Sequence, residues 1–436
     1  LVALQLDVLL ESKSVAEIKK ALNTLPTTLD EFYDYTLRTI EEQHQPLAYA
    51  ALQWLAFSFR PLLLSELAES IMIQPRGELY FDPDERFMDE DQVLDLLPAG
   101  LVRKSLSYVH KVDGEIHILP FVEFAHFSVL EYLKSGRMCS ELRPRYQIEH
   151  IKGHTLIAEA CLAYLLYIGE KEQMFAKEMH ELFRDKRFEP RRPKFLTESW
   201  LRLREKLNID YALLGYASTA WYLHLRSLEL TSSEYLDRLA LEFLNDKTNS
   251  WAIWCDYCFN DEDFFLDVIP LGQQIYQMQR FKQKIHPVTW ISWLGLSGIL
   301  KLLLKGGILS QLQPNLYFGN PLHAAAAKGN TDIVQILLQS QADVNELGGY
   351  HSTPLMAASR SGSMETVKLL LESGADVNVE VGGRTAVLEA SDRGLIEVVK
   401  LLLESGAEFD AHGGSKYESA LRVASRFRNP YRSQSF

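Results

Sequence analysis

Residues Thr353 to Asn378 read TPLMAASRSGSMETVKLLLESGADVN, and this stretch decides the fold of the C-terminal third of the chain. Thr353 is a good N-cap, and Pro354 suits the first helical position, where a backbone N–H has no partner to lose. Ala357 and Ala358 are small, so this helix can lie close to a neighbour. Gly362 ends it. A second helix carries Val367, Leu370 and Leu371 at i, i+3, i+4 spacing, which makes one face apolar. Gly374 supplies a left-handed stop. Asp376 and Asn378, followed by Gly382-Gly383, give the turn chemistry of a projecting hairpin.

The unit recurs. NPLHAAAAKGNTDIVQILLQSQADVN begins at Asn320 and TAVLEASDRGLIEVVKLLLESGAEFD at Thr385, so the three copies are offset by 33 and 32 residues. One such helix pair cannot cover its apolar face alone, whereas stacked neighbours bury it together. A weaker copy precedes these, because Pro287, Gly295 and Leu303-Leu304 each lie 34 residues before Pro321, Gly329 and Leu337-Leu338. It is expected to be a degenerate first repeat that docks on the domain before it. A last copy begins at Ser419-Ala420-Leu421 and stops at Phe436 without a second helix. An array without a cap exposes apolar surface, so this end reads as truncated.

These segments closely resemble the ankyrin-repeat family. His323 matches the family's usual histidine, and Met356 and Leu388 replace it in the next two units. The resemblance implies recognition of a protein partner, with contacts from hairpin tips and from the short inner helices that line the concave face of such solenoids. The candidate contact residues are Lys328, Tyr350, His351, Arg360 and Arg393. Each reads equally as a plain solvated position, since surface charge alone decides little.

Upstream, residues 1 to about 285 read mostly helical. In ALNTLPTTLDEFYDYTL, from Ala21 to Leu37, Pro26 ends one helix and Thr28 with Glu31 forms a capping box for the next. PLAYAALQWLAFSFRPLLLSELAESIMI, from Pro46 to Ile73, reads as a helix, a break at Arg60-Pro61 and a second helix from Ser65. A third helix is expected over Asp89 to Leu97. Alternating runs from Ser105 to Val112 and from Glu115 to Phe124 flank Asp113-Gly114, a strong hairpin turn. HFSVLEYL closes the segment, with Ser128 and Glu131 as another expected capping box. Three helices followed by a hairpin describe a winged-helix domain. LPTTLDEFY, WLAFSFRPLLLSELAESI and AHFSVLEYLKSGR resemble the winged-helix part of fungal NACHT–ankyrin proteins, which are STAND-class, NLR-like receptors; inositol-deacylase relatives share a similar winged helix. YASTAWYLHLRSLEL resembles the helical linker these proteins place before their repeats. The resemblance implies a switch protein in which an ATPase module, a winged helix and a repeat sensor act together. The P-loop pattern is absent from this sequence, which holds no Gly-Lys pair, so nucleotide binding is carried over to no residue here.

Composition narrows the function classes. A net charge of -13 opposes general binding to nucleic acid or to anionic membranes. The four cysteines, Cys139, Cys161, Cys255 and Cys258, suggest no disulfide framework and fit a reducing compartment. No signal peptide is present, and a start at Leu1 rather than Met reads as a fragment. The apolar twenty-mer from Trp290 to Leu309 has the length of a membrane span, but Lys301 and Lys305 fall within it, and the repeat register explains the same residues. Cys255 and Cys258 form a CxxC without two further ligands nearby, which favours core thiols over zinc. Glu123, His126 and Ser128 invite a triad reading, yet triads assemble from distant segments and Ser128 is assigned as a cap. The nucleophile elbow is also missing. The basic run FRDKRFEPRRPK, around Arg184 to Lys194, reads as a solvated loop, with nuclear localisation as its functional alternative.

The sequence therefore specifies a mainly α-helical protein in four parts: a helical remnant over 1–44, a winged helix with a small β-hairpin over 45–138, a helical linker over 139–285 and an ankyrin solenoid over 286–436. The expected function is protein recognition and regulation in a cytoplasmic receptor or scaffold. No catalytic, metal or cofactor residue and no small-molecule substrate is assigned. Two rivals are a DNA-binding winged-helix regulator with an ankyrin tail, and part of an enzyme (ATPase or hydrolase) whose catalytic module lies upstream.

Overall fold

Helix starts follow the side-chain caps. Thr28 and Glu31 close α1 (Leu29–Arg38) as a full capping box, with Thr28 accepting from the Glu31 N–H and the Glu31 carboxylate accepting from Thr28. The computed structural model describes residues 14, 26–75, 79–110, 116–172, 204–228, 233–245, 250–251, 253–254, 286–304, 319–349 and 352–408. Tyr350, His351, Cys255, Cys258, the basic run at 184–194, the Asp113-Gly114 turn and the copy at Ser419 lie outside them. The chain divides into two compact units, Leu1–Asn260 and Asp261–Phe436.

In the first unit, α2 (Gln45–Phe57) is followed by β1 (Leu62–Leu63), α3 (Leu64–Ser70), the short strands β2 (Gln74–Pro75) and β3 (Leu79–Tyr80), and α4 (Gln92–Asp95). Then come β4 (Val102–His110), β5 (Ile116–Phe124), α5 (Phe127–Lys134), α6 (Arg143–Tyr146), α7 (His150–Lys171), α8 (Leu214–Arg226) and α9 (Glu234–Phe243). The hairpin is present in regular antiparallel register, from Val102 opposite Phe124 to His110 opposite Ile116. Its first strand starts three residues earlier than the alternation at Ser105 suggests. β1 adds a third strand on the far side of β5, through Leu62 opposite Val122.

Two expectations are corrected. The third helix is one turn, Gln92–Asp95, not Asp89 to Leu97, because Asp89 accepts the Asp91 N–H and folds that stretch into a turn. The helix in HFSVLEYL is capped by His126, whose ring accepts the Ser128 N–H; Ser128 lies inside the helix and meets the Tyr33 hydroxyl at 2.7 Å.

Helix α7 packs on α2, α8 and α9. Close approach to α2 requires Gly153, since an added Cβ would lie 2.2 Å from Phe57. At 22 residues α7 is long and apolar enough to cross a membrane by composition, but 56% of that apolar window is buried in the unit. Buried Glu69 on α3 is bound by Arg86 and accepts the Leu213 N–H at 3.0 Å just before α8.

The second unit is a run of helix pairs: α10 (Pro287–Leu294) with α11 (Ser297–Leu304), α12 (Pro321–Lys328) with α13 (Thr331–Gln339), α14 (Pro354–Ser361) with α15 (Met364–Glu372), and α16 (Ala386–Asp392) with α17 (Ile396–Glu404). The apolar twenty-mer is thus no single span. Gly295 turns left-handed, at φ 77°, and separates two helices of eight residues each. Asn320, Thr353 and Thr385 cap α12, α14 and α16 by accepting the N–H three residues on. Inner helices α10, α12, α14 and α16 pack in sequence, as do the outer helices. Ala325, Ala358 and Ala390 line the first row, and Leu337, Leu370 and Leu402 are fully buried in the second.

A polar ladder joins successive pairs. Asn345 Nδ2 donates to the Gly374 carbonyl at 3.1 Å while its Oδ1 accepts the Asp376 N–H at 2.8 Å. Asn378 repeats this one unit later, with Gly406 at 3.1 Å and Glu408 at 2.7 Å. Replacing Asn378 by alanine removes both hydrogen bonds and leaves these exposed backbone groups to water. The substitution is expected to lower stability by about 1–2 kcal/mol, seen as a lower urea midpoint for the second unit at unchanged m. An unchanged midpoint would refute the ladder's contribution.

Candidate protein-binding surface

The ends of the inner helices carry side chains that change from pair to pair on a repeating frame. Lys328 closes α12 and is exposed, with its ammonium 5.4 Å from the centre of the Trp293 ring in the preceding pair. Ser361 holds the same register in α14, and Arg393 holds it after α16, exposed to solvent. A left-handed glycine follows Lys328 and Ser361 as the cap of the helix, and Gly394 occupies that place after Arg393 with φ 68°. These glycines fix where each variable residue sits.

Arg360 lies one position earlier and is used differently. Its side chain is only 17% exposed and donates to Glu389 of the next inner helix at 3.0 Å. Arg384, in the turn of the hairpin closed by Val381 and Arg384, reaches the same carboxylate. Glu389 itself is 1% exposed. The aligned positions in the two preceding inner helices hold Ala324 and Ala357, so the carboxylate replaces a small apolar contact with a charge that needs both cations. The arrangement pins a hairpin tip to two successive inner helices. Sequence reading missed Glu389, although its signal was available: a charge at a position where the aligned copies carry alanine.

His323 is likewise inward. It is buried between the Asn320 backbone N–H, which donates to Nδ1 at 3.4 Å, and the Ser352 carbonyl, 3.3 Å from Nε2. Burial pulls its pKa down to about 4, so the ring is neutral near pH 7. Of the five residues singled out from the sequence, Lys328 and Arg393 face solvent at one register, Arg360 is committed to Glu389, and Tyr350 and His351 lie outside the described residues.

Residues 290–381 and 322–413 match the family described as Ankyrin repeats (3 copies). The second unit carries ankyrin repeats. Repeats of this kind generally mediate protein–protein interaction. The chain is also similar to "Azaphilone pigments biosynthesis cluster protein L" of Monascus ruber, at 27% identity over 334 residues, which cover 74% of this chain and 61% of that protein. The chain thus spans less than two thirds of the relative's length.

The ion cluster makes an asymmetric prediction. Arg360→Ala leaves a buried carboxylate with one partner and is expected to cost roughly 2–4 kcal/mol. Glu389→Ala is expected to cost less, because the two partly exposed guanidinium groups can turn to water. The double variant should cost less than the sum of the singles, as contacting groups do not act additively. Additive denaturation midpoints would contradict the cluster. Lys328→Ala and Arg393→Ala are expected to stay within about 0.5 kcal/mol of the parent.

Proposed function

We propose that this chain is the partner-sensing and regulatory part of a STAND-class, NLR-like protein, and that its ankyrin repeats bind a protein partner through the concave row of inner helices and the hairpin tips. The observation that carries this reading is the division of labour within the repeats. Caps, glycines, alanines and leucines recur in fixed register and hold the stack together, whereas the exposed ends of the inner helices vary through Lys328, Ser361 and Arg393. A rigid frame bearing variable side chains at constant spacing suits recognition of one partner over others.

The regulatory role is supported by element order. A helical body with an antiparallel hairpin precedes the repeats, as the winged helix does in the NACHT–ankyrin proteins that this sequence resembles. In the proposed mechanism a partner on the repeats favours one arrangement of that body over another, which requires a difference in affinity between the two states. We assign no reaction to this chain and place its work in the cytoplasm, in keeping with its sparse cysteines. The DNA-binding reading has less support, since α4 is a single turn preceded by Asp89, Glu90 and Asp91.

A photo-crosslinking side chain at position 328 or 393 of the full chain, expressed in its own cells, is expected to capture the same partner. One at position 400, on outer helix α17, is expected not to. Capture from 400 alone would overturn the assignment of the face. With the partner bound, amide exchange over residues 46–137 is expected to change; identical protection would refute the coupling.

A further inference from the structure

The first unit buries two imidazoles in contact. His154 on α7 is 5% exposed and His224 on α8 is fully buried. Their Nδ1 atoms lie 2.8 Å apart, and His224 Nε2 lies 2.8 Å from the Tyr216 hydroxyl. That hydroxyl accepts the Phe59 N–H at 3.2 Å. The Phe59 ring covers the pair, with its centroid 5.7 Å from His154 and 4.7 Å from His224. Arg60 stacks 5.1 Å over the Tyr216 ring and binds Glu66 at 2.7 Å. One continuous set of contacts therefore clamps the turn between α2 and β1 onto α7 and α8. We propose that this imidazole pair is a proton-operated latch that holds the Ser58–Arg60 turn on α7 and α8 at neutral pH and releases it in acid.

The hydrogen bonds define the closed state. Two nitrogens in contact share one proton, so a single chain of hydrogen bonds links Tyr216, His224 and His154, and it can run in either direction. With one added proton on either ring, His224 Nε2 must carry a hydrogen, so the Tyr216 oxygen accepts from His224 as well as from Phe59. A second proton sets two N–H groups against each other. The surroundings oppose both charges. His150 stacks on His154 at 4.4 Å along α7, and Lys134 on α5 lies 5.0 Å from the centre of the Phe57 ring that covers His154. Arg60 faces Tyr216 from the turn. Cys161 on α7 is buried and neutral, its thiol pushed up by desolvation. Glu66 on α3 is the nearby carboxylate, and it is bound to Arg60. Burial, then the neighbouring positive charges, depress the pKa of His154 to about 4 and that of His224 to about 3. In the released state both return toward the ordinary value of about 6.5. The released state binds more protons below that pH, so the closed state is fully favoured above it and loses stability as pH falls toward 4. Each imidazole contributes up to about tenfold in the opening equilibrium per pH unit.

The test is amide exchange of the full chain between pH 7.5 and 4.5, corrected for intrinsic rates. Protection of the Phe59 amide is expected to fall at least tenfold. His154→Asn keeps an acceptor near the Nδ1 position but cannot titrate, and it is expected to flatten the profile. His150→Asn, which removes one positive neighbour but keeps both buried rings, is expected to reduce the fall without abolishing it. Constant protection in the parent, or an unchanged profile in His154→Asn, would overturn the latch. Should His154→Asn fail to fold, assigned histidine NMR of the parent decides: the His154 and His224 rings titrating together below about pH 5 support the latch, and ordinary titration of these two rings near 6.5 refutes it.

Discussion

Stacking between neighbours is the constraint on which the second unit depends. A pair of seven- to nine-residue helices has too little apolar surface to fold alone, and helices this short are marginal in water without tertiary contacts. Every local feature serves closeness to the next pair. The alanines at 325, 358 and 390 let inner helices touch, Leu337, Leu370 and Leu402 fill the gap between outer helices, and Asn345 and Asn378 clamp one turn to the next. Gly362 shows why the frame tolerates little change at its corners: its φ is 82°, and an added Cβ would press on Leu395 of the following pair at 3.1 Å.

The first unit solves a different problem with buried polar groups. Glu66, Glu69, His154 and His224 are nearly or fully inaccessible. Burying such groups is costly unless each finds a partner, and here each partner belongs to another element. Glu69 joins α3 to the start of α8 through Leu213, and the imidazoles join the turn after α2 to α7 and α8. These links favour one arrangement of the elements over alternatives that would leave a charge or a donor unpaired. A body fixed by a few specific polar contacts can also be shifted by acting on them, which suits the regulatory role proposed for it.

Much of this was legible in the sequence. The repeats, their caps at Thr353 and Thr385, and the left-handed stops at Gly362 and Gly374 follow from short-range chemistry that a single chain displays. The hairpin was readable from alternation around Asp113-Gly114, although its turn lies outside the described residues. What escaped depends on groups far apart in the chain. Arg360 looks like a free surface cation until Glu389, 29 residues on, is seen beside it. Ser128 fits a capping box by spacing, yet the His126 ring takes the cap and Ser128 turns to Tyr33, 95 residues away. His154 and His224 carry no local signal of their pairing at all. Asn378 was readable as a turn former; its reach into the next pair, and that of Asn345 one unit earlier, shows only in the recurrence of Asp-Val-Asn at the repeat spacing.

The central claim is that these pairs stand only by leaning on one another, which fixes the face proposed to meet a partner. Hydrogen exchange of the full chain with Leu370→Ala tests it most directly, since loss of a buried leucine costs roughly 2–5 kcal/mol. Leu370 sits in the third of the four described pairs, α14 and α15, with a pair on each side. The account predicts lost protection in both neighbours, over 321–339 and over 386–404, as well as in 354–372. Loss confined to 354–372 would contradict it.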